Sequence, residues 1–177
     1  MKRFSPGYEK NREAIAGLLD RIVRAPGTVL EIGAGTGQHA AYFAAQMPSI
    51  TFVPSEKDPA LVESIDAWRA EAALPNLRAA RLIDATEEAW DAPAVTVVLA
   101  IEVVPATPWA VAVGLINGAA RILPEGGELL LYGPLAPKLE EIAALAARRG
   151  LEARPAHELP GRNLMAVFRQ RAQSGGA

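Results

Sequence analysis

The sequence predicts an α/β fold: a doubly wound, mostly parallel seven-stranded sheet with an antiparallel hairpin at one edge. Three observations predict it. Segments of strand length alternate with segments of helical periodicity along most of the 177 residues, the order that builds a parallel sheet with helices on its faces. The stretch AVTVVLAI, Ala94 to Ile101, is apolar except for Thr96, as suits a strand buried on both faces. The tail holds two strand-like segments with no helix between them, and such pairs form antiparallel edges on these sheets.

Taken in order, Glu9 to Val23 sets Ala14, Ile15, Leu18, Leu19, Ile22 and Val23 at helical spacing. Ala25, Pro26 and Gly27 stop that helix. Thr28 to Ile32 is the first strand, and a helix over Gln38 to Met47 ends before Pro48. Ile50 to Val53 is the second strand, with Glu56 after it. Asp58 at the N-cap and Pro59 at the first helical position open a helix holding Leu61, Ile65 and Trp68. Leu77 to Ile83 is a third, weaker strand, followed by Asp84, and Ala94 to Ile101 is the fourth. A helix over Pro108 to Ile122, a turn at Leu123 to Gly127 and a fifth strand at Glu128 to Tyr132 follow. Ala136 to Arg149 is helical and ends at Gly150. Glu152 to His157 and Leu164 to Arg169 are the tail strands, and Gln173 to Ala177 is expected to fray.

Composition narrows the function. Half the residues are hydrophobic, which marks a globular chain. No internal repeat or linker interrupts it, so one domain over residues 1–177 is expected. The net charge is -2 with no long basic run, so the electrostatic footprint of a general nucleic-acid binder is missing. There is no cysteine, and His39 and His157 lie far apart; neither disulfides nor a metal site is expected. Charges at Glu9, Lys10, Arg12 and Glu13 break up any signal-like apolar stretch. No run approaches the roughly 18 apolar residues of a membrane span, and a cytoplasmic location is the expectation. The sequence leaves the oligomeric state open.

The chemistry concentrates at EIGAGTGQH, Glu31 to His39, where the first strand turns into a helix. On an open α/β sheet this turn lies at the carboxyl ends of the strands, where ligands bind. A P-loop needs Lys followed by Ser or Thr after its last glycine, but Gln38 and His39 follow Gly37. A dinucleotide fingerprint needs glycines at positions 1, 3 and 6. Counted from Gly33, position 6 is Gln38, and the third glycine falls early at Gly37.

The pattern of Glu31, Gly33, Gly35 and Gly37 resembles the first motif of the class I S-adenosylmethionine-dependent methyltransferases. The resemblance implies a Rossmann-like methyltransferase fold. It also implies that this loop lies under the amino-acid and ribose part of S-adenosylmethionine. An acid at Glu31 suits a ligand with a sulfonium and an ammonium group and no pyrophosphate, and glycines let the backbone approach it. Glu56, at the end of the second strand, is where an acid binds ribose hydroxyls in nucleoside-binding folds; Asp58, the competing acid, is read as the helix cap. Asp84 ends the third strand, where the superfamily places an acid or amide near the adenine amine; the alternative is a turn-capping Asp. The turn at Leu123 to Gly127 matches the superfamily's entry into its fifth strand.

A narrower resemblance runs from Glu9 to Arg169. EKNREAI (Glu9 to Ile15), LEIGAGTGQHAAYFA (Leu30 to Ala44), PSEKDP (Pro54 to Pro59), TPW (Thr107 to Trp109), LYGP (Leu131 to Pro134) and NLMAVFR (Asn163 to Arg169) are together similar to one bacterial and animal family. Its members are described as methyltransferase-like or as a domain of unknown function, and no substrate follows from it. Three departures stand out. Glu102 replaces an Asn, and Pro105 a His, in the segment that faces the methyl group in the superfamily. A long polar loop after Tyr132, Gly133 and Pro134 is missing. A paired Asn near the last strand is reduced to Arg162 and Asn163.

The expected activity is in-line methyl transfer to a small-molecule acceptor, by proximity more than by acid–base chemistry. Glu31, Gly33, Gly35, Gly37, Glu56 and Asp84 would hold the cofactor, with Glu102 and Trp109 on the acceptor side. Tyr8 and Asn11 are expected where the N-terminal segment folds over the site. His39 is read as a ligand contact or a polar helix-start residue, Trp68 and Trp90 as core or rim, and His157 as structural. Two rivals stay open: a silent S-adenosylmethionine-binding sensor or scaffold, and a nicotinamide-dependent oxidoreductase.

Overall fold

The computed structural model describes residues 1–172; the expected frayed end, Gln173 to Ala177, lies outside the described residues. Seven strands form one sheet: β1 (Gly27–Ile32), β2 (Ile50–Glu56), β3 (Arg81–Leu82), β4 (Val97–Ile101), β5 (Glu128–Gly133), β6 (Leu151–Leu159) and β7 (Asn163–Gln170). Their order across the sheet is β3-β2-β1-β4-β5-β7-β6. β1 to β5 pair in parallel, whereas β7 runs antiparallel to both β5 and β6. The predicted fold class, edge hairpin included, is the observed one. The chain reverses direction across the sheet between β1 and β4, which places the switch point above the glycine turn.

The helices are α1 (Pro6–Ile22), α2 (Gln38–Gln46), α3 (Pro59–Ala72), α4 (Val103–Ala106), α5 (Trp109–Ile122) and α6 (Leu139–Arg148). Alternating strand residues build two cores. On one face Val29, Phe52, Leu99, Leu130 and Val167 pack with Ile15 and Leu19 of α1 and Phe43 of α2. On the other, Leu30, Val53, Val98, Leu131 and Phe168 pack with Leu115 and Ile116 of α5 and Ile142 of α6. All five residues of β4 are buried, as an unbroken apolar run between two neighbouring strands requires. Among the described residues no helix is long and apolar enough to cross a membrane.

Most departures from expectation are shifts of up to three residues at element ends, as where β4 starts at Val97 rather than Ala94 and α6 at Leu139 rather than Ala136; the third strand shrinks, and α4 was not expected. α1 begins at Pro6 rather than Glu9, because Pro at the first helical turn loses no intrahelical bond. Asp58 does cap α3, accepting from the Ala60 N–H at 2.9 Å. β2 runs on past Val53 to Glu56, through Pro54. The third strand, expected over Leu77 to Ile83, shrinks to Arg81–Leu82 for the same reason. Phe52 still exchanges bonds with Asn76 and Arg78, but Pro54 has no N–H to continue that ladder. The Ala80 N–H donates instead to Asp66 Oδ1 at 3.0 Å. Asn76 ties this edge to α2 and β2: its Nδ2 donates to the carbonyls of Ala44, Met47 and Ile50 at 2.9, 3.1 and 2.9 Å.

Candidate functional site

The three glycines after β1 all have positive φ, at 70°, 57° and 92° for Gly33, Gly35 and Gly37, but they serve different purposes. A Cβ on Gly33 would lie 2.7 Å from Val103 Cγ2, and one on Gly37 2.7 Å from Ile65 Cα. These two permit close packing of the loop against α4 and α3. A Cβ on Gly35 would meet nothing within 4 Å. Gly35 therefore answers only to the left-handed turn, which a side chain strains, and to open space above it. Gly33 and Gly37 are thus required by packing whether or not a ligand lies over them. Gly37 makes room for Ile65.

Three of the loop's N–H groups are engaged. Ala34 donates to the Ser55 carbonyl at 2.9 Å, Gly37 to the Ala34 carbonyl at 3.2 Å, and Gly35 to Glu56 Oε2 at 3.0 Å. A pyrophosphate held at a βα turn needs such N–H groups free. Glu31, the β1 residue beneath the loop, is 2% exposed, and its Oε2 is buried without a hydrogen-bond partner. Burial, reinforced by the neighbouring Glu56 charge, pushes its carboxyl up to about 8.

A two-lobed cleft opens over the loop, its lobes sharing Gly33, Ile101 and Glu102. One lobe of about 270 Å³ lies on the α1 and α2 face, with Tyr8, Asn11, Glu31, Gly35 and His39 in its wall. The other, of about 210 Å³, lies on the α5 face, with Glu56, Ile83, Asp84, Val103 and Val111. The expected Glu31, Gly33, Gly35, Glu56, Asp84 and Glu102 are thus brought together, while Gly37 lies behind the wall. Trp109, at the start of α5 and 38% exposed, lines neither lobe; Lys138 Nζ sits 5.7 Å from its ring centroid. Asp84 takes the capping geometry that was its alternative. Its Oδ1 accepts from the Thr86 N–H and Oγ1 at 2.9 and 2.8 Å, which holds its carboxyl below the ordinary range.

The N-terminal segment covers one side, as expected. The Arg3 N–H donates to Ser64 Oγ at 2.8 Å, and Ser64 Oγ donates to the Thr36 carbonyl of the loop at 2.9 Å. The Ser5 N–H and Thr36 Oγ1 both donate to Gln38 Oε1. Trp68 Nε1 donates to the Arg3 carbonyl at 3.0 Å, so this Trp anchors the segment at the rim. Tyr8 packs edge-on against His39, whose Nε2 donates to Asn11 Oδ1 at 2.8 Å. Burial pushes the His39 imidazole down to about 4, so it is neutral at physiological pH.

Glu102 caps α4 with φ 57° and ψ 19°, a left-handed conformation uncommon for a residue with a side chain. Its N–H donates to the Tyr132 carbonyl at 2.8 Å, and desolvation raises its carboxyl above the ordinary range. Tyr132 itself is 2% exposed; burial and the Glu102 charge raise its phenol, while the Asn11 and Asn163 side chains oppose this. Sequence reasoning passed over Tyr132 as one more buried strand residue. Its position at the carboxyl end of β5 was the available signal. Hollows of about 330 and 630 Å³ lie towards the opposite ends of the strands, around Thr96 and Thr28, away from where such sheets take ligands. Among the described residues no three His, Cys, Asp or Glu side chains converge to hold a metal.

Sheet order, switch-point loop and two-lobed cleft together define a class I, Rossmann-like methyltransferase fold. The apo form of the S-adenosylmethionine-dependent methyltransferase SibL superposes with a TM-score of 0.77 at 17% identity, over 94% of this chain and 56% of that one. A methyltransferase from Pyrococcus furiosus gives 0.78 at 16%, over 96% and 88%. TrmN from Thermus thermophilus gives 0.68 at 22%, over 90% and 48%. The chain spans about half the length of SibL and TrmN. By sequence, residues 2–138 match the family described as "Protein of unknown function (DUF938)", and the chain belongs to that family.

Proposed function

We propose that this domain binds S-adenosylmethionine and transfers its methyl group to a small-molecule acceptor. One observation carries the reading: the buried, unpartnered Oε2 of Glu31 beneath the glycine loop. Such a place suits a cationic ligand, and the Gly35 N–H, already bonded to Glu56, is not free for a pyrophosphate. The residues fit the cofactor. Glu31 would take its ammonium group. Glu56, whose Oε2 accepts from the Gly35 N–H and Oε1 from the Lys57 N–H, keeps a lone pair on each oxygen for ribose hydroxyls, and Asp84 keeps Oδ2 for the adenine amine. Gly33 and Gly35 would form the floor, with Gly37 holding the loop against α3.

When bound, S-adenosylmethionine supplies an electrophilic methyl group on a sulfonium. Glu102, shared by both lobes, accepts a proton on the acceptor side, and Trp109 borders the outer approach. The N-terminal segment, latched to the loop through Ser64 and Gln38, restricts water.

The test is calorimetric titration with S-adenosylmethionine and its demethylated product, with NADH as control. Micromolar binding that weakens in Glu56→Ala supports the site. No binding to folded protein refutes it. Binding without turnover in the presence of acceptors would leave a silent binding module.

A further inference from the structure

Glu31 and Glu102 are the two ionisable acids in the wall of the α1-side lobe, and Glu31 is protonated at neutral pH until a cation reaches it. No Lys or Arg lines it, and His39 there is neutral. No ion pair among the described residues engages either carboxylate. Glu31 Oε2 is buried in that wall without a hydrogen-bond partner, a place that a cation can fill. The cofactor's ammonium would answer Glu31, which leaves Glu102, solvent-exposed at the junction of the lobes, as the carboxylate open to a second cation.

We propose that the methyl acceptor is a small primary or secondary amine, which enters as an ammonium ion held by Glu102 and is methylated on nitrogen. The proposal rests on the cofactor reading above. Glu102 takes the ammonium proton and frees the nitrogen lone pair. A nitrogen–carbon bond forms as the carbon–sulfur bond breaks, and that electron pair stays on sulfur, leaving a neutral thioether. The product leaves as a methylated ammonium ion, and the proton on Glu102 passes to water.

The wall chemistry disfavours the other acceptor classes. A carboxylate or phosphate would meet the Glu102 carboxylate and no basic side chain, a like-charge juxtaposition that excludes partners. A phenol and an ammonium ion lose their protons at similar pH, near 10. The phenol, however, becomes an anion beside Glu102, whereas the amine becomes neutral. An aliphatic alcohol is too weak an acid for a carboxylate to activate. The small lobe limits the acceptor to an amine at the end of a slender chain.

The test uses probes matched in shape: phenethylamine, 2-phenylethanol and phenylacetate, and then butylamine, butanol and butyrate. Binding is measured by calorimetry on protein saturated with S-adenosylhomocysteine, and turnover as S-adenosylhomocysteine released from S-adenosylmethionine. Only the amines are expected to bind and to drive turnover. Glu102→Gln should weaken amine binding by more than about tenfold and change S-adenosylhomocysteine affinity by less than about twofold, which also shows that the variant is folded. Three results overturn the proposal: alcohols or carboxylates performing as well as amines, no amine binding to the loaded protein, or amine binding unchanged in Glu102→Gln. Failure to bind S-adenosylhomocysteine at all is a separate outcome. It refutes the cofactor reading and this one with it.

Discussion

Glu31→Gln separates what the buried carboxyl costs the free protein from what it does for a ligand. Glu31 is 2% exposed, and its carboxyl is moved from an ordinary 4.5 to about 8, first by burial and then by Glu56. A carboxyl with a raised folded pKa stabilises the fold while protonated. That contribution is complete below about pH 4.5 and is lost as the pH rises through about 8. At about 1.4 kcal/mol per pH unit, the loss between pH 5 and pH 9 is about 4 kcal/mol. Glutamine has the same shape and does not ionise. The variant should show no such slope, so at pH 9 it gains about 4 kcal/mol on the parent relative to pH 5. S-adenosylhomocysteine carries an ammonium group, so its binding to the parent near pH 7 should expel a proton from Glu31. The variant should bind more weakly and expel none. Urea unfolding at the two pH values measures the first effect. Calorimetry in buffers of different ionisation heat measures the second. Equal pH slopes in parent and variant would refute the reasoning.

Four further outcomes are expected. Gly37→Ala places a Cβ 2.7 Å from the Ile65 backbone at φ 92° and should cost about 2–4 kcal/mol in urea unfolding. Gly35→Ala, which meets open space, should cost about 1–2 kcal/mol and act mainly on cofactor affinity; equal stability losses would contradict the division of roles. Asn76→Ala removes the donor shared by three carbonyls and should cost about 2–4 kcal/mol, read by thermal unfolding. Trp109→Ala, outside both lobes, should leave S-adenosylhomocysteine affinity within about twofold of the parent by calorimetry.

The elements most legible from sequence were those whose reasons are local. Val97 to Ile101 are apolar because both sheet faces are covered, and Asp58 followed by Pro59 is a cap with its own geometry. β3 was not legible, since its length depends on Pro54 in the neighbouring strand and on Asp66, a helix residue that takes the Ala80 N–H. α4 is four residues long, too short to show a period. The same division holds in the cleft. Glu31 was read from the glycine motif that follows it, and Glu56 and Asp84 from their places after strands; all three line the cleft. The Gly37 packing role depends on Ile65, far along the chain, and Tyr132 gains its meaning from Asn11, Glu102 and Asn163, which the fold alone gathers. Trp109, partly exposed at the start of α5, lines neither lobe, a placement that pattern reading does not fix.

The two lobes open on opposite faces of the sheet and meet only over Gly33, Ile101 and Glu102. One face is packed by α1 and α2 and the other by α5 and α6, so each layer has its own core. A molecule lying across the ridge would touch both layers and act as a clamp between them. Saturation with it should then slow amide-hydrogen exchange in α1 and α5 together, although the two helices sit on opposite sides of the sheet.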